Sequence, residues 1–122
     1  MKTIKLFFTV TILLVTVSFA KAQNYNYKLD GPFTATKTFR VNGVCEMCKH
    51  RIESAVNKLP GIWSSYWDIN SKTLLVKYDR SRIEPDRIKQ LVTTVGHDTE
   101  RAKASDVVYN ALPDCCHYPR KS

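Results

Sequence analysis

Residues 34–61 read TATKTFRVNGVCEMCKHRIESAVNKLPG, and two hydrophobic periods meet inside them. From Thr34 to Val41 the chain alternates. Ala35, Lys37, Phe39 and Val41 fall on one side and Thr36, Thr38 and Arg40 on the other, with the β-branched and aromatic enrichment of a strand. Asn42-Gly43 is a turn signal. From Glu46 to Leu59 the apolar residues Ile52, Ala55, Val56 and Leu59 recur at three and four, which is helical spacing, and Pro60-Gly61 stops the helix. A strand therefore feeds a helix through a short loop, and that loop carries Cys45 and Cys48.

Working outward, Ile62–Ile69 (IWSSYWDI) reads as a second strand. Trp63 and Trp67 share a face of it and suit sheet packing. Asn70-Ser71-Lys72 is a turn, and Thr73–Tyr78 (TLLVKY) completes a hairpin. Pro85 opens another helix at a favourable first position. Its apolar stripe is Ile88, Leu91, Val92 and Val95, and Gly96 caps it. Asp98–Lys103 is read as a short last strand, Ser105–Leu112 as a turn of helix, and PDCCHYPRKS (113–122) as a tail. The order β-α-β-β-α-β predicts an α+β, ferredoxin-like fold: a four-stranded antiparallel sheet with two helices on one face. The domain spans residues 34–103, with a leader over 23–33 and a tail over 104–122.

At the N-terminus, Lys2 and Lys5 precede an uncharged, largely apolar run of 15 residues, Leu6 to Ala20. Ala20-Lys21-Ala22 then offers small residues at both recognition positions of a signal peptidase. The run is shorter than the roughly 20 residues that span a bilayer. The expectation is a signal peptide over residues 1–22, cleaved near Ala22, and a periplasmic or secreted protein with no membrane segment after cleavage. Removing Lys2, Lys5 and Lys21 leaves 16 basic residues against 11 acidic, a net charge of +5. The charges are scattered, not massed on one helix. They predict a solvated basic surface that favours acidic partners over nucleic acid. No Ser-His-Asp set, phosphate-binding glycine loop or zinc-protease helix occurs, and the carboxylates are dispersed, so no enzyme is expected.

The four cysteines form two tight pairs, Cys45/Cys48 and Cys115/Cys116. Cys-x-x-Cys serves redox couples, metal clamps and disulfide frameworks alike. Adjacent Cys115 and Cys116 can bond each other only with strain, so a structural disulfide would join the two pairs. Cys48 falls in the first helical turn, where free N–H groups favour anions, and Lys49, His50 and Arg51 add positive charge; both favour thiolates. Two thiolates on one loop suit a soft ion. Two-coordinate sulfur matches Cu(I), whereas zinc usually takes four ligands.

The element order, the Cys-x-x-Cys before the first helix, IESAVNKLPGI (52–62), DINSKTLLVKYD (68–79) and IKQLVTTVGHD (88–98) together resemble the heavy-metal-associated domain family, over about residues 36–103. That family includes copper chaperones, metal-pump modules and periplasmic mercury-binding proteins. The resemblance implies Cys45 and Cys48 as soft-metal ligands. The family pattern Gly-Met-x-Cys-x-x-Cys is shortened here to Gly43-Val44-Cys45, without the methionine that packs beneath the loop, and Val44 or Met47 is the candidate substitute. Gly96-His97 stands where the family often has Gly-Tyr or a lysine close to the metal.

A lone histidine is ordinarily an exposed polar residue, and His50 is read so. His97, in the loop that should face the metal, is a candidate ligand or supporting group, and His117 travels with two cysteines. The tail resembles an end appended to some exported relatives. It is expected to fold back and bring Cys115 and Cys116 to the Cys45/Cys48 loop. An inter-pair disulfide and a free tail with its own ion are the rivals.

The expected function is an exported binder of Cu(I), or of Zn(II) or Hg(II), that carries or buffers the ion. Its partner would be an acidic metal-transport domain, and it would act as a monomer or a metal-bridged dimer. Thiol-disulfide chemistry is the alternative, opposed by the absence of Trp-Cys-x-x-Cys and of thioredoxin element order. A lapsed site with structural or sensing duty is a further one.

Overall fold

The computed structural model of this chain describes residues 31–120. The expected signal peptide and most of the leader lie outside them. Three strands, β1 (Thr34–Arg40), β2 (Ile62–Asp68) and β3 (Thr73–Asp79), form an antiparallel sheet in the order β1-β3-β2. Helix α1 (Glu46–Asn57) follows β1, and α2 (Pro85–Thr94) follows β3. A short α3 (Asp106–Asn110) and a 3-10 turn (Asp114–Cys116) build the tail.

Central β3 decides the layering. Leu74, Val76 and Tyr78 alternate onto the inner face and are buried, while Leu75 points outward. Against that inner face pack Phe39 of β1, Trp67 of β2, Ile52 and Val56 of α1, and Ile88 and Val92 of α2, in one cluster. Both helices therefore cover the same face, as the element order predicts. The cluster continues into the tail through Leu112, Cys116 and Tyr118.

The four-stranded expectation needs correction. Among the described residues the sheet has three strands, and the segment read as a fourth contributes a single antiparallel bridge, Val41 to Thr99. The reason lies in side chains that compete for the backbone. Thr99 N–H donates to the Ala102 carbonyl (2.8 Å), and Thr99 Oγ1 accepts from Ala102 N (3.1 Å), which closes a turn. Asp98 Oδ1 takes the Ala104 N–H at 2.7 Å. The Asp98 carbonyl still reaches the chain just past β1, accepting from Asn42 N at 2.9 Å, and the Glu100 carboxylate accepts from the Arg40 backbone.

Gly96 ends α2 with φ +103°, as a helix-stopping glycine should. A Cβ there would also lie 2.7 Å from Leu112 Cδ2, so the tail packs directly on the glycine. Gly96→Ala should therefore cost about 2–3 kcal/mol, combining left-handed strain with overpacking. Chemical denaturation checks this, and an unchanged midpoint would contradict the packing of Leu112 on Gly96.

Candidate metal centre

The Cys45–Cys48 loop is fixed from below by Trp67. Its indole Nε1 donates to the Val41 carbonyl at 3.0 Å. A Cβ on Gly43 would meet the ring at 2.9 Å and Cys48 Cβ at 3.1 Å, so only glycine lets the loop lie this close. Trp67's own backbone is held by α1: its N–H donates to Glu53 Oε1 (2.9 Å) and its carbonyl accepts from Lys49 Nζ (2.7 Å). Lys49 and Glu53 pair with each other at 2.7 Å, one helical turn apart. The sequence reading looked to Val44 or Met47 to pack beneath the loop. Both are exposed, at 38% and 51%, and the fully buried Trp67 lies against it instead.

Cys45 is the N-cap of α1, and its side chain makes no capping bond. Its sulfur faces three others. Cys45 Sγ lies 3.4 Å from Cys48 Sγ, 3.6 Å from Cys115 Sγ and 3.5 Å from Cys116 Sγ. Cys115 and Cys116 are 4.0 Å apart. All four are free thiols. Cys48 and Cys116 are fully buried, Cys45 is half-buried, and Cys115 is exposed. The ligand atoms of Cys45, Cys115 and Cys116 all fall within 4.8 Å of one another. Cys115 Sγ also lies 3.2 Å from the thioether of Met47.

These sulfurs differ in acidity. Burial alone would push the Cys45 thiol up. Hydrogen bonds from the Cys48 backbone and from the Cys48, Cys116 and Cys115 thiols outweigh it and bring Cys45 down to about 7. Cys116 goes the other way, raised by burial and by its bonds to Cys48 and Cys45. Cys115 is raised by its bond to Cys45. Near neutral pH one thiolate thus sits at the hub while the tail thiols keep their protons, ready to release them to a soft cation.

The tail reaches this loop because it is fastened. Buried Tyr118 donates its hydroxyl to the Gly96 carbonyl (2.8 Å) and accepts from Asp98 N (2.9 Å). Arg120 forks onto Asp98, Nε to Oδ2 at 2.8 Å and Nη2 to Oδ1 at 2.9 Å, and reaches Ala104 O at 2.6 Å and Asp106 Oδ1 at 3.0 Å. Burial would raise the Asp98 carboxyl, but Arg120 and the Ala104 N–H hold it below the usual carboxylate range. Helix α3 turns the chain back, with Ser105 Oγ capping it through Val108 N at 3.3 Å.

Neither candidate histidine joins the group of cysteine sulfurs that could share one ion. His97 is fully buried, donates Nδ1–H to the Asn42 carbonyl (2.8 Å) and stacks on Tyr118 at 5.7 Å. Burial lowers its pKa, so it is neutral. It links Asn42, ahead of the Cys45–Cys48 loop, to the tail. His117 is exposed and leans on Tyr109 at 5.2 Å. Tyr118, Arg120 and Asp98 were not singled out from the sequence. Their signal was an aromatic and an arginine within five residues of the cysteine pair.

The Cys45 thiolate gives a direct check. Its folded pKa is depressed, so thiolate character is present above about pH 7 and lost as pH falls through that value. Alkylation of Cys45 by iodoacetamide, followed by peptide mapping, should rise with an inflection near pH 7. An inflection near that of an ordinary thiol, about 8.5, would contradict the hub arrangement.

Residues 38–98 match the model of the heavy-metal-associated domain. The copper chaperone CopZ of Staphylococcus haemolyticus (strain JCSC1435) is 31% identical over 65 residues, covering 52% of this chain and 96% of that protein. A solved CopZ metallochaperone superposes with a TM-score of 0.52 at 27% identity, over 53% of this chain and 98% of that one. The N-terminal domain of a potential copper-translocating P-type ATPase from Bacillus subtilis, solved in the Cu(I)-loaded state, gives 0.52 at 25% identity, over 54% and 84%. The tail that carries Cys115 and Cys116 lies beyond the matched residues. With the ferredoxin-like core and the Cys-x-x-Cys loop ahead of α1, the chain belongs to the heavy-metal-associated domain family.

Proposed function

We propose that this chain carries or buffers a thiophilic metal ion, Cu(I) foremost, gripped by Cys45 and Cys48 and enclosed by Cys115 and Cys116 of its own tail. The observation that carries this reading is the convergence of three thiols, Cys48, Cys115 and Cys116, on Cys45, all within 3.6 Å of its sulfur. A metal–sulfur bond of about 2.3 Å puts the sulfurs of a trigonal site roughly 4.0 Å apart, and Cys45, Cys115 and Cys116 already lie 3.5, 3.6 and 4.0 Å from one another. Soft thiolates favour Cu(I) over harder ions, and copper-handling relatives of this fold support the same choice. Four thiols also meet the usual demand of Zn(II), which is the second reading; Hg(II) would be taken by the same chemistry.

With Cys115 and Cys116 supplied by its own tail, a monomer suffices. The role is ion transfer by thiolate exchange, not catalysis. The apolar run at Leu6–Ala20 and the small residues at Ala20 and Ala22 support export to a periplasmic or extracellular space, with cleavage before Gln23. The basic surface suits an acidic metal-transport domain as the exchange partner. His97 serves by orienting Asn42 and Tyr118.

Anaerobic competition titration of the reduced protein with Cu(I), and separately with Zn(II), tests the reading, with sulfur number taken from X-ray absorption. Tight Cu(I) binding with three or more sulfurs is expected. Cys45→Ser should weaken it by about 100-fold or more, and the double change Cys115→Ser/Cys116→Ser should reduce the sulfur number to two. Tight zinc with four sulfurs and weak copper would favour the zinc reading. Failure to bind either ion would overturn the proposal in favour of thiol-disulfide chemistry.

A further inference from the structure

The sulfur set does not end with the cysteines. Met47 sits in the first turn of α1, between the two loop cysteines, and is 51% exposed. Packing does not account for it, because the space beneath the loop is filled by Trp67. Its thioether instead faces solvent-exposed Cys115 at 3.2 Å, and Cys115 in turn lies 3.6 Å from Cys45. Three sulfurs therefore follow in succession, Cys45 to Cys115 to Met47, while Cys48 and Cys116 are buried. The 3-10 turn holds Cys115 at this outer position through Cys116 N to Pro113 O (2.8 Å) and His117 N to Asp114 O (3.3 Å).

We propose that Met47 and Cys115 form a second, outward-facing position for a soft monovalent cation, sharing the Cys45 thiolate with the inner site. This rests on the soft-metal reading above and extends it from one ion to two. A thiolate has lone pairs enough to bridge two metals, and a neutral thioether accepts soft ions such as Cu(I) while adding no charge. Binding is a substitution without redox change: the Cys115 thiol gives its proton to solvent as its sulfur bonds the ion, and Met47 donates a lone pair. Both outer sulfurs are on exposed side chains, so they can open from 3.2 Å to a coordinating separation without disturbing the core. The inner ion is enclosed by buried sulfur and the outer one is accessible, so the outer position is where an ion enters from or leaves to a partner.

The chain has two methionines, Met1 and Met47, which makes the test direct. The reduced chain is labelled with [ε-13C]methionine and titrated anaerobically with Cu(I), and Met47→Leu assigns the Met47 methyl signal. The first equivalent should leave that signal nearly in place and the second should shift it. Met47→Leu should weaken the second equivalent at least tenfold in a competition titration and spare the first. A Met47 methyl that stays put through two equivalents, with one-ion stoichiometry in both the parent and Met47→Leu, would overturn the outer position while leaving the single-ion carrier standing. Loss of all tight Cu(I) binding in the parent chain would instead bring down the soft-metal reading itself.

Discussion

The hydroxyl of Tyr118, held between the Gly96 carbonyl and the Asp98 amide, is the contact on which the candidate metal centre depends. A family domain of this kind ends near Asp98, and everything after it must be tethered to matter. Tyr118 fills the buried end of the tether, and Arg120 locks it by neutralising Asp98. Breaking such a bond would leave a buried charge unpaired, which typically costs about 3–5 kcal/mol. Because the Asp98 carboxyl is held low, the lock persists at ordinary pH and is lost only as acid protonates that group. The contact also reaches the front of the loop, since His97 stacks on Tyr118 and bonds Asn42.

A second constraint comes from beneath. Trp67 sits on edge strand β2, whose outward backbone groups need partners. Glu53 and Lys49 supply them from α1, which fixes the helix on the sheet and so fixes the direction of its first turn. The indole then supports Gly43 and Cys48. Loop and tail are thus held by separate means, Trp67 for Cys45 and Cys48, Tyr118 and Arg120 for Cys115 and Cys116. The other three sulfurs meet at Cys45. A preorganised set of this kind spends little binding energy on ordering, and the exposed end leaves a route for exchange.

Much of this was legible in the sequence. The alternation of β1, the helical spacing of Ile52, Val56, Ile88 and Val92, the helix stops at Gly61 and Gly96 and the hairpin between β2 and β3 are local signals, and each appears where expected. The missing fourth strand was not legible. Asp98 and Thr99 look neutral as strand residues, and only their side-chain bonds to Ala102 and Ala104 reveal that the backbone turns away. The support under the loop was misplaced for a similar reason. Val44 and Met47 are near in sequence, while Trp67 comes from a strand that only the tertiary fold brings close. The cysteine pairs announced themselves by composition, but the residues that deliver the tail to them, Tyr118, Arg120 and Asp98, act through contacts at separations of about twenty residues.

The most direct measurement is a nuclear Overhauser spectrum of the reduced, metal-free protein. The expected result is contact between the Tyr118 ring and the His97 ring and Gly96, with Leu112 methyls on Gly96 and dispersed shifts through residues 113–120. The contrary result is random-coil shifts over those residues and no contact with residues 96–98, which would detach the tail cysteines from the Cys45–Cys48 loop.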